Sequence, residues 1–174
     1  MTANPANFAR APEGRCQAQM ATTLVLPYPI SENRYWASRV IKVKATGKWM
    51  SMTYVTPEAN AYRQQVALLA LQAGVRKPIC GRVRLTLELY PHRPLDWAKR
   101  ARKDPDNWAD TVQCIDLGNC EKVLSDALNG IAWDDDKRHH EIHKYRRDPD
   151  GHGARVVATF EPIVRPAIAP ELPL

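Results

Sequence analysis

The chain has 174 residues, 44% of them hydrophobic, which suits one domain with its own core. Its 25 Lys and Arg against 19 Asp and Glu give a net charge of +6, a balance that favours a polyanionic partner such as nucleic acid. No apolar run approaches the ~20 residues of a membrane span, and the opening MTANPANFARAPEGRCQAQM lacks the apolar segment of a signal peptide, so a cytoplasmic protein with no membrane partner is expected. The four cysteines, Cys16, Cys80, Cys114 and Cys120, include no C-x-x-C pair, and the spacing of the last two fits no common zinc pattern, so reduced thiols are expected.

Residues 1–22 are polar and unpatterned and read as a flexible N-terminal arm. Thr23 to Leu26 form a short apolar strand stopped by Pro27. SENRYWASR then reads as a loop, and KWMSMTYV as a short strand or hairpin arm. TPEANAYRQQVALLALQAG is a helix: Thr56 caps it, Pro57 suits its first position, Glu58 favours the positive end of the dipole and Gly74 closes it. Tyr62, Val66, Leu69 and Ala73 recur on one face. GRVRLTLELY alternates strictly and predicts a half-buried strand with Val83, Leu85, Leu87 and Leu89 inward.

A basic loop follows, PHRPLDWAKRARKDPDN, with Arg93, Lys99, Arg100, Arg102 and Lys103. A second helical region is predicted from about Asp106 to Leu128, interrupted at DLGN because Gly118 and Asn119 are poor interior residues. HHEIHKYRR and ARVVATFEP read as two strands joined through DPDGHG as a hairpin, and residues 163–174 as a proline-rich tail. The order is roughly β-α-β-α-β-β: a single small α+β domain over 23–162, one mixed sheet with two main helices.

The tripeptide DPD occurs twice. Asp148-Pro149-Asp150, followed by Gly151 and Gly153, reads as a turn. Asp104-Pro105-Asp106 has the chemistry of a helix start, with Asp104 as cap. It also holds two carboxylates on one side of an extended stretch beside five cations, a pairing that suits a hard divalent cation such as Mg2+ next to phosphates. Asp134, Asp135 and Asp136 form a second acidic site, where a cation would relieve like-charge repulsion or water would simply solvate the turn. His139, His140 and His143 suggest a zinc site, but a strand would set the first two on opposite faces.

Taken in order, LPYPISENRYW, TPEANAYRQQV, DPDN and KVLSDALNGIAWDDD resemble the RusA family of crossover-junction endodeoxyribonucleases, the Holliday-junction resolvases, from about Val25 to Pro162. The most specific part is D-x-D-N followed by K-x-x-x-D-A-L-N-G and an acidic turn. The resemblance implies a small homodimeric, Mg2+-dependent enzyme of recombination and repair, common in bacteria, phages and prophages. It would nick branched DNA and use no small-molecule cofactor. It matches Asp104 and Asp106 to paired metal-binding aspartates, Asp136 to a third, Asp135 to its acidic neighbour and Lys122 to a catalytic lysine. Asn33 and Arg34 match an N-terminal loop that contacts DNA.

One departure stands out. The family places its lysine shortly after D-x-D-N, whereas here about a dozen residues (108–119) intervene and Asp110 occupies the ungapped position. Lys122 keeps its spacing to DALNG, Lys103 is the reserve candidate, and Asp116 within the insert is an extra possible ligand. In the implied chemistry, carboxylate-held Mg2+ serves phosphodiester hydrolysis, Lys122 stabilises transition-state charge, and Arg93, Lys99, Arg100, Arg102 and Lys103 track phosphates. Tyr35 and Trp36 are candidates for stacking on opened bases or for the core. The alternative reading is a non-catalytic branched-DNA-binding protein with the same fold.

Overall fold

The structure, a computed structural model, describes residues 20–164. The first 19 positions of the expected arm, with Cys16, and the end of the expected tail from 165 lie outside the described residues. In chain order the elements are β1 (Thr22–Pro27), α1 (Glu32–Tyr35), β2 (Trp36–Lys42), β3 (Trp49–Val55), α2 (Pro57–Gln72), β4 (Val83–Tyr90), α3 (Trp97–Lys103), α4 (Leu117–Leu128), β5 (His139–Arg146) and β6 (Arg155–Pro162). The α+β class and the mixed sheet are as expected from the sequence.

The main sheet runs β1-β6-β4-β5, with β5 parallel to β4 and the other pairs antiparallel. Along β4, Val83, Leu85, Leu87 and Leu89 are buried, as their alternation predicts. The opposite face carries polar partners in register: Arg84 reaches Glu141 of β5 at 2.5 Å and Glu161 of β6 at 2.7 Å, and Thr23 meets Thr159 at 2.9 Å. The apolar face, with Leu24, Leu26, Val156, Ala158 and Phe160, joins α2 and α4 in one core.

Helix α2 forms as its sequence dictates. The Ala59 amide donates to Thr56 Oγ1 at 3.2 Å, Pro57 opens the helix, and Gly74 takes φ +88° to end it. Its buried residues are Ala59, Tyr62, Val66 and Ala70, so the stripe is turned slightly from the expected one, with Leu69 at its margin.

The predicted hairpin between β5 and β6 is not formed, because β4 lies between them. A strand parallel to β4 ends at the same end of the sheet as β4 does, so the chain must cross β4 before β6 can return antiparallel to it. Residues 147–154 make that crossing. The second DPD keeps a turn role there: Asp150 accepts from the His152 amide at 2.9 Å and from both terminal nitrogens of Arg155 at 2.8 and 2.6 Å.

The segment from 91 to 128 also departs from the prediction. WAKRARK is helical, aided by the Asp96–Arg100 pair at 2.9 Å and by basic residues in its last turn. Asp104 therefore ends a helix rather than starting one. Pro105 excludes helical geometry for the residue before it, and Asp104 adopts φ −144°, ψ 88°. No helix begins at Asp106. A short 3-10 turn spans Trp108–Thr111, followed by an extended run stitched to the body: the Ile115 amide donates to Tyr28 Oη at 3.0 Å, and Arg146 donates to the Val112 carbonyl at 2.6 Å. Helix α4 then starts at Leu117, inside the stretch expected to interrupt it.

Candidate active-site groove

The start of α4 is set by Asp116. Its Oδ1 accepts the Asn119 amide at 2.7 Å and its Oδ2 accepts Asn119 Nδ2 at 2.6 Å. Capping thus outweighs the poor interior propensity of Gly118 and Asn119, because both sit in the first turn. The same D-x-x-N device occurs at 104–107, where Asp104 Oδ1 accepts the Asn107 amide at 3.1 Å and its side-chain nitrogen at 3.2 Å.

Cys120, Val123, Leu124, Ala127 and Leu128 are buried in the core and fix the rotation of α4. That rotation places Gly118, Glu121, Lys122, Ser125 and Asp126, at helical spacing, along one wall of an open groove of about 590 Å³. Asp136, Lys137, His139 and Ile142, from the acidic turn and β5, line the rest. Position 118 has no side chain, and a Cβ there would lie 3.2 Å from Asp116 Oδ1, so the Asp116 carboxylate adjoins one of the residues that line the groove.

The acidic turn is resolved residue by residue. Asp134 accepts from Arg138 Nη2 at 2.9 Å and from its Nε at 3.0 and 3.3 Å. Asp135 accepts the Lys137 amide at 3.0 Å and lies 2.5 Å from Lys137 Nζ; Lys137 is the main cause that lowers its carboxyl to about 2. Asp136 is the member of the three that lines the groove.

Beneath the groove, Trp133 is fully buried and makes edge-on contacts with His139 at 4.5 Å and Phe160 at 5.8 Å. Ser125 Oγ, Trp133 Nε1 and His139 Nε2 are buried polar atoms with no hydrogen-bond partner in the protein. Burial holds the His139 imidazole below its ordinary pKa, against the opposite pull of Glu121 and Asp136. A depressed folded-state pKa means that the unfolded chain binds this proton more readily. The stabilisation is complete above the ordinary imidazole value of about 6.5 and is lost as pH falls below it. Urea midpoints at about pH 7.5 and 5.5 are expected to differ less for His139→Gln than for the parent protein.

The other sequence-predicted residues lie elsewhere. Asp104 and Asp106 are exposed at the end of α3, and they, like Asp116, are not among the residues that line the groove that holds Lys122 and Asp136. Lys99, Arg102 and Lys103 are exposed on α3, a helix with no buried residue. Arg100 is tied to Asp96 and donates to Thr111 Oγ1 at 3.0 Å, and Arg93 stacks over Trp97 at 3.8 Å. Asn33 is exposed, and Arg34 pairs with Glu58 at 2.9 Å. Tyr35 belongs to the core, whereas Trp36 is 41% exposed. Among the described residues, no three His, Cys, Asp or Glu side chains converge as a ready-made metal cage, His139, His140 and His143 included.

Sequence reasoning gave Asp116 only a minor place. The signal that singles it out is D-L-G-N at 116–119: read as the aspartate motif, it sets Lys122 on the first turns of the same helix, with no insertion between motif and lysine. Gly118 then stands where D-x-D-N has its second carboxylate.

No curated protein matches the chain. A family model does: residues 27–157 match that of Endodeoxyribonuclease RusA, which covers most of the sequence, from the last residue of β1 through the groove to the start of β6. The chain belongs to the RusA endodeoxyribonuclease family.

Proposed function

We propose that this protein is a Mg2+-dependent endonuclease that nicks four-way DNA junctions by phosphodiester hydrolysis, in recombination and repair. The observation that carries the reading is the groove itself: Lys122 and Asp136 line one open channel, and the Asp116 carboxylate adjoins Gly118 in its wall. An open channel admits a DNA backbone, where an enclosed pocket would not.

The donor chemistry fits a hard cation. Mg2+ is commonly held by one or two carboxylates, with water and substrate phosphate completing its shell, so no three-carboxylate cage is required. Asp116 and Asp136 are the residues that would hold it. When bound, the ion supplies Lewis acidity toward the phosphoryl oxygens and lowers the pKa of a coordinated water. Lys122 supplies positive charge where the phosphoryl group gains negative charge. Asp126 shares the groove wall with Lys122 one helical turn on, and Asp135, held by Lys137, fixes the turn that presents Asp136. Asp104, matched with Asp106 to the metal-binding aspartates by the resemblance, closes α3, and we give the ion to Asp116 and Asp136 in their place. That helix offers Lys99, Arg102 and Lys103 to flanking phosphates. A junction has two-fold symmetry, and a two-fold homodimer would place one groove on each of two opposed strands.

Incubation with a synthetic four-way junction and Mg2+ tests the reading. It expects paired nicks near the crossover that EDTA abolishes and that linear duplex does not receive. An intact junction under saturating protein in Mg2+ and Mn2+ would sink it. Gly118 favours a second reading, binding without turnover, because it removes one carboxylate from the motif. Gly118→Asp separates the two: for an active enzyme it lowers the Mg2+ concentration for half-maximal nicking, whereas for an inactive binder it converts no cleavage into cleavage.

A further inference from the structure

The β2–β3 hairpin stands apart from the main sheet as a separate two-stranded ribbon. Such a hairpin is marginal in water unless something covers it. Here both faces are wet. Trp36, Val40 and Trp49 are 41, 66 and 68% exposed on one face, and Met50 is 56% exposed on the other. From Trp36 to Val55 the chain carries four cations, Arg39, Lys42, Lys44 and Lys48, and no acidic residue. Two of these cations lie over aromatic rings, Arg39 over Tyr54 at 5.5 Å and Lys42 over Trp49 at 5.9 Å.

We infer that this hairpin is a DNA-binding arm, which grips the duplex beside the nicking site through its cations and exposed rings. Charge decides the occupant. An isologous contact between two copies through either face of the hairpin would set its cations against their own copies, with no carboxylate in the hairpin to answer them, whereas DNA supplies a regular array of phosphates. Shape agrees: two paired strands of seven residues form a ribbon about 23 Å long, and the major groove admits a two-stranded ribbon. The exposed rings offer flat apolar faces to sugars or unstacked bases. Helix α1, with exposed Asn33, leads directly into β2, so the arm continues a surface already expected to meet DNA.

The inference takes its substrate from the nuclease reading, but its readout is binding rather than cleavage. The full chain and its Lys42→Gln/Lys44→Gln/Lys48→Gln variant are titrated with a labelled four-way junction across salt concentrations. Loss of three phosphate contacts is expected to lower the slope of log K against log salt by about 2.7 and to weaken binding at least tenfold near 0.1 M salt. Trp49→Ala is expected to weaken binding with the slope unchanged. Because these side chains are exposed, Tm and oligomeric mass should not move. Unchanged affinity and slope would overturn the inference. So would a change in oligomeric mass at constant DNA affinity, which assigns the hairpin to a second copy. A parent protein that binds the junction through the arm but never nicks it overturns the nuclease reading alone, and one that binds no DNA overturns both.

Discussion

Lys122→Ala is expected to slow junction nicking by roughly 10²–10³-fold, the typical cost of removing one preorganised charge-stabilising group, while junction affinity changes little. Lys122 lies on the groove face of α4, and the rotation of that helix is fixed by Cys120, Val123, Leu124, Ala127 and Leu128 on its buried side. The lysine is exposed, so the substitution should leave stability nearly intact. A loss in kcat with an unchanged Kd for the junction marks a group that acts in the transition state. Lys122→Arg keeps the charge and should recover part of the rate. A tenfold loss of affinity with kcat unchanged would reduce Lys122 to one more phosphate contact.

Trp133→Ala is expected to cost about 3–5 kcal/mol of stability, the range for truncating a large buried aromatic. Trp133 is the largest fully buried side chain among the described residues, and it wedges between His139 at the start of β5 and Phe160 of β6. Its backbone also ties the corner after α4, where the Gly130 amide donates to the Trp133 carbonyl at 2.8 Å. Asp136 follows three residues later, so the same cavity loosens the acidic wall of the groove. Nicking should therefore fall even at temperatures where the variant remains folded. Trp133→Phe keeps most of the packing and deletes the indole N–H that has no partner, so a smaller loss is expected from it. Urea titrations of the three proteins measure the ordering, and equal midpoints would contradict it.

Much of the scaffold was legible because its signals are local. In α2, cap, proline and apolar stripe coincide, and in β4 the alternation is unbroken. What was not legible depends on contacts distant in sequence. Nothing in HHEIHKYRR says that it pairs parallel to β4 rather than with the next strand, since none of its side chains is fully buried to mark a face. Strand β2, which begins inside the stretch SENRYWASR read as a loop, was hidden for a different reason: its side chains are mostly exposed on both faces, so burial imposes no alternation. At α4 two local rules compete. Gly118 and Asn119 disfavour a helix interior, yet Asp116 two and three residues earlier caps a helix there, and only the packing of Cys120 and Leu124 shows which rule wins.

The candidate site followed the same division. Lys122 and Asp136 could be named from the resemblance, through K-x-x-x-D-A-L-N-G and the acidic turn, and they line one groove. The repeated D-x-x-N offered two aspartate motifs, at 104 and at 116, with the same hydrogen-bond pattern. Sequence order alone favours the first, because it retains both carboxylates. In the fold, one motif closes an exposed helix, and the other opens the helix that carries Lys122.

The most direct measurement is therefore single-turnover nicking of a four-way junction in Mg2+ by Asp116→Asn and Asp104→Asn, side by side with the parent protein. Loss of a metal-holding carboxylate should cost Asp116→Asn several kcal/mol of transition-state stabilisation, about 10³-fold in rate, with Asp104→Asn within a few-fold of the parent. Full activity in Asp116→Asn, with cleavage abolished in Asp104→Asn, would contradict the assignment of the site to the start of α4.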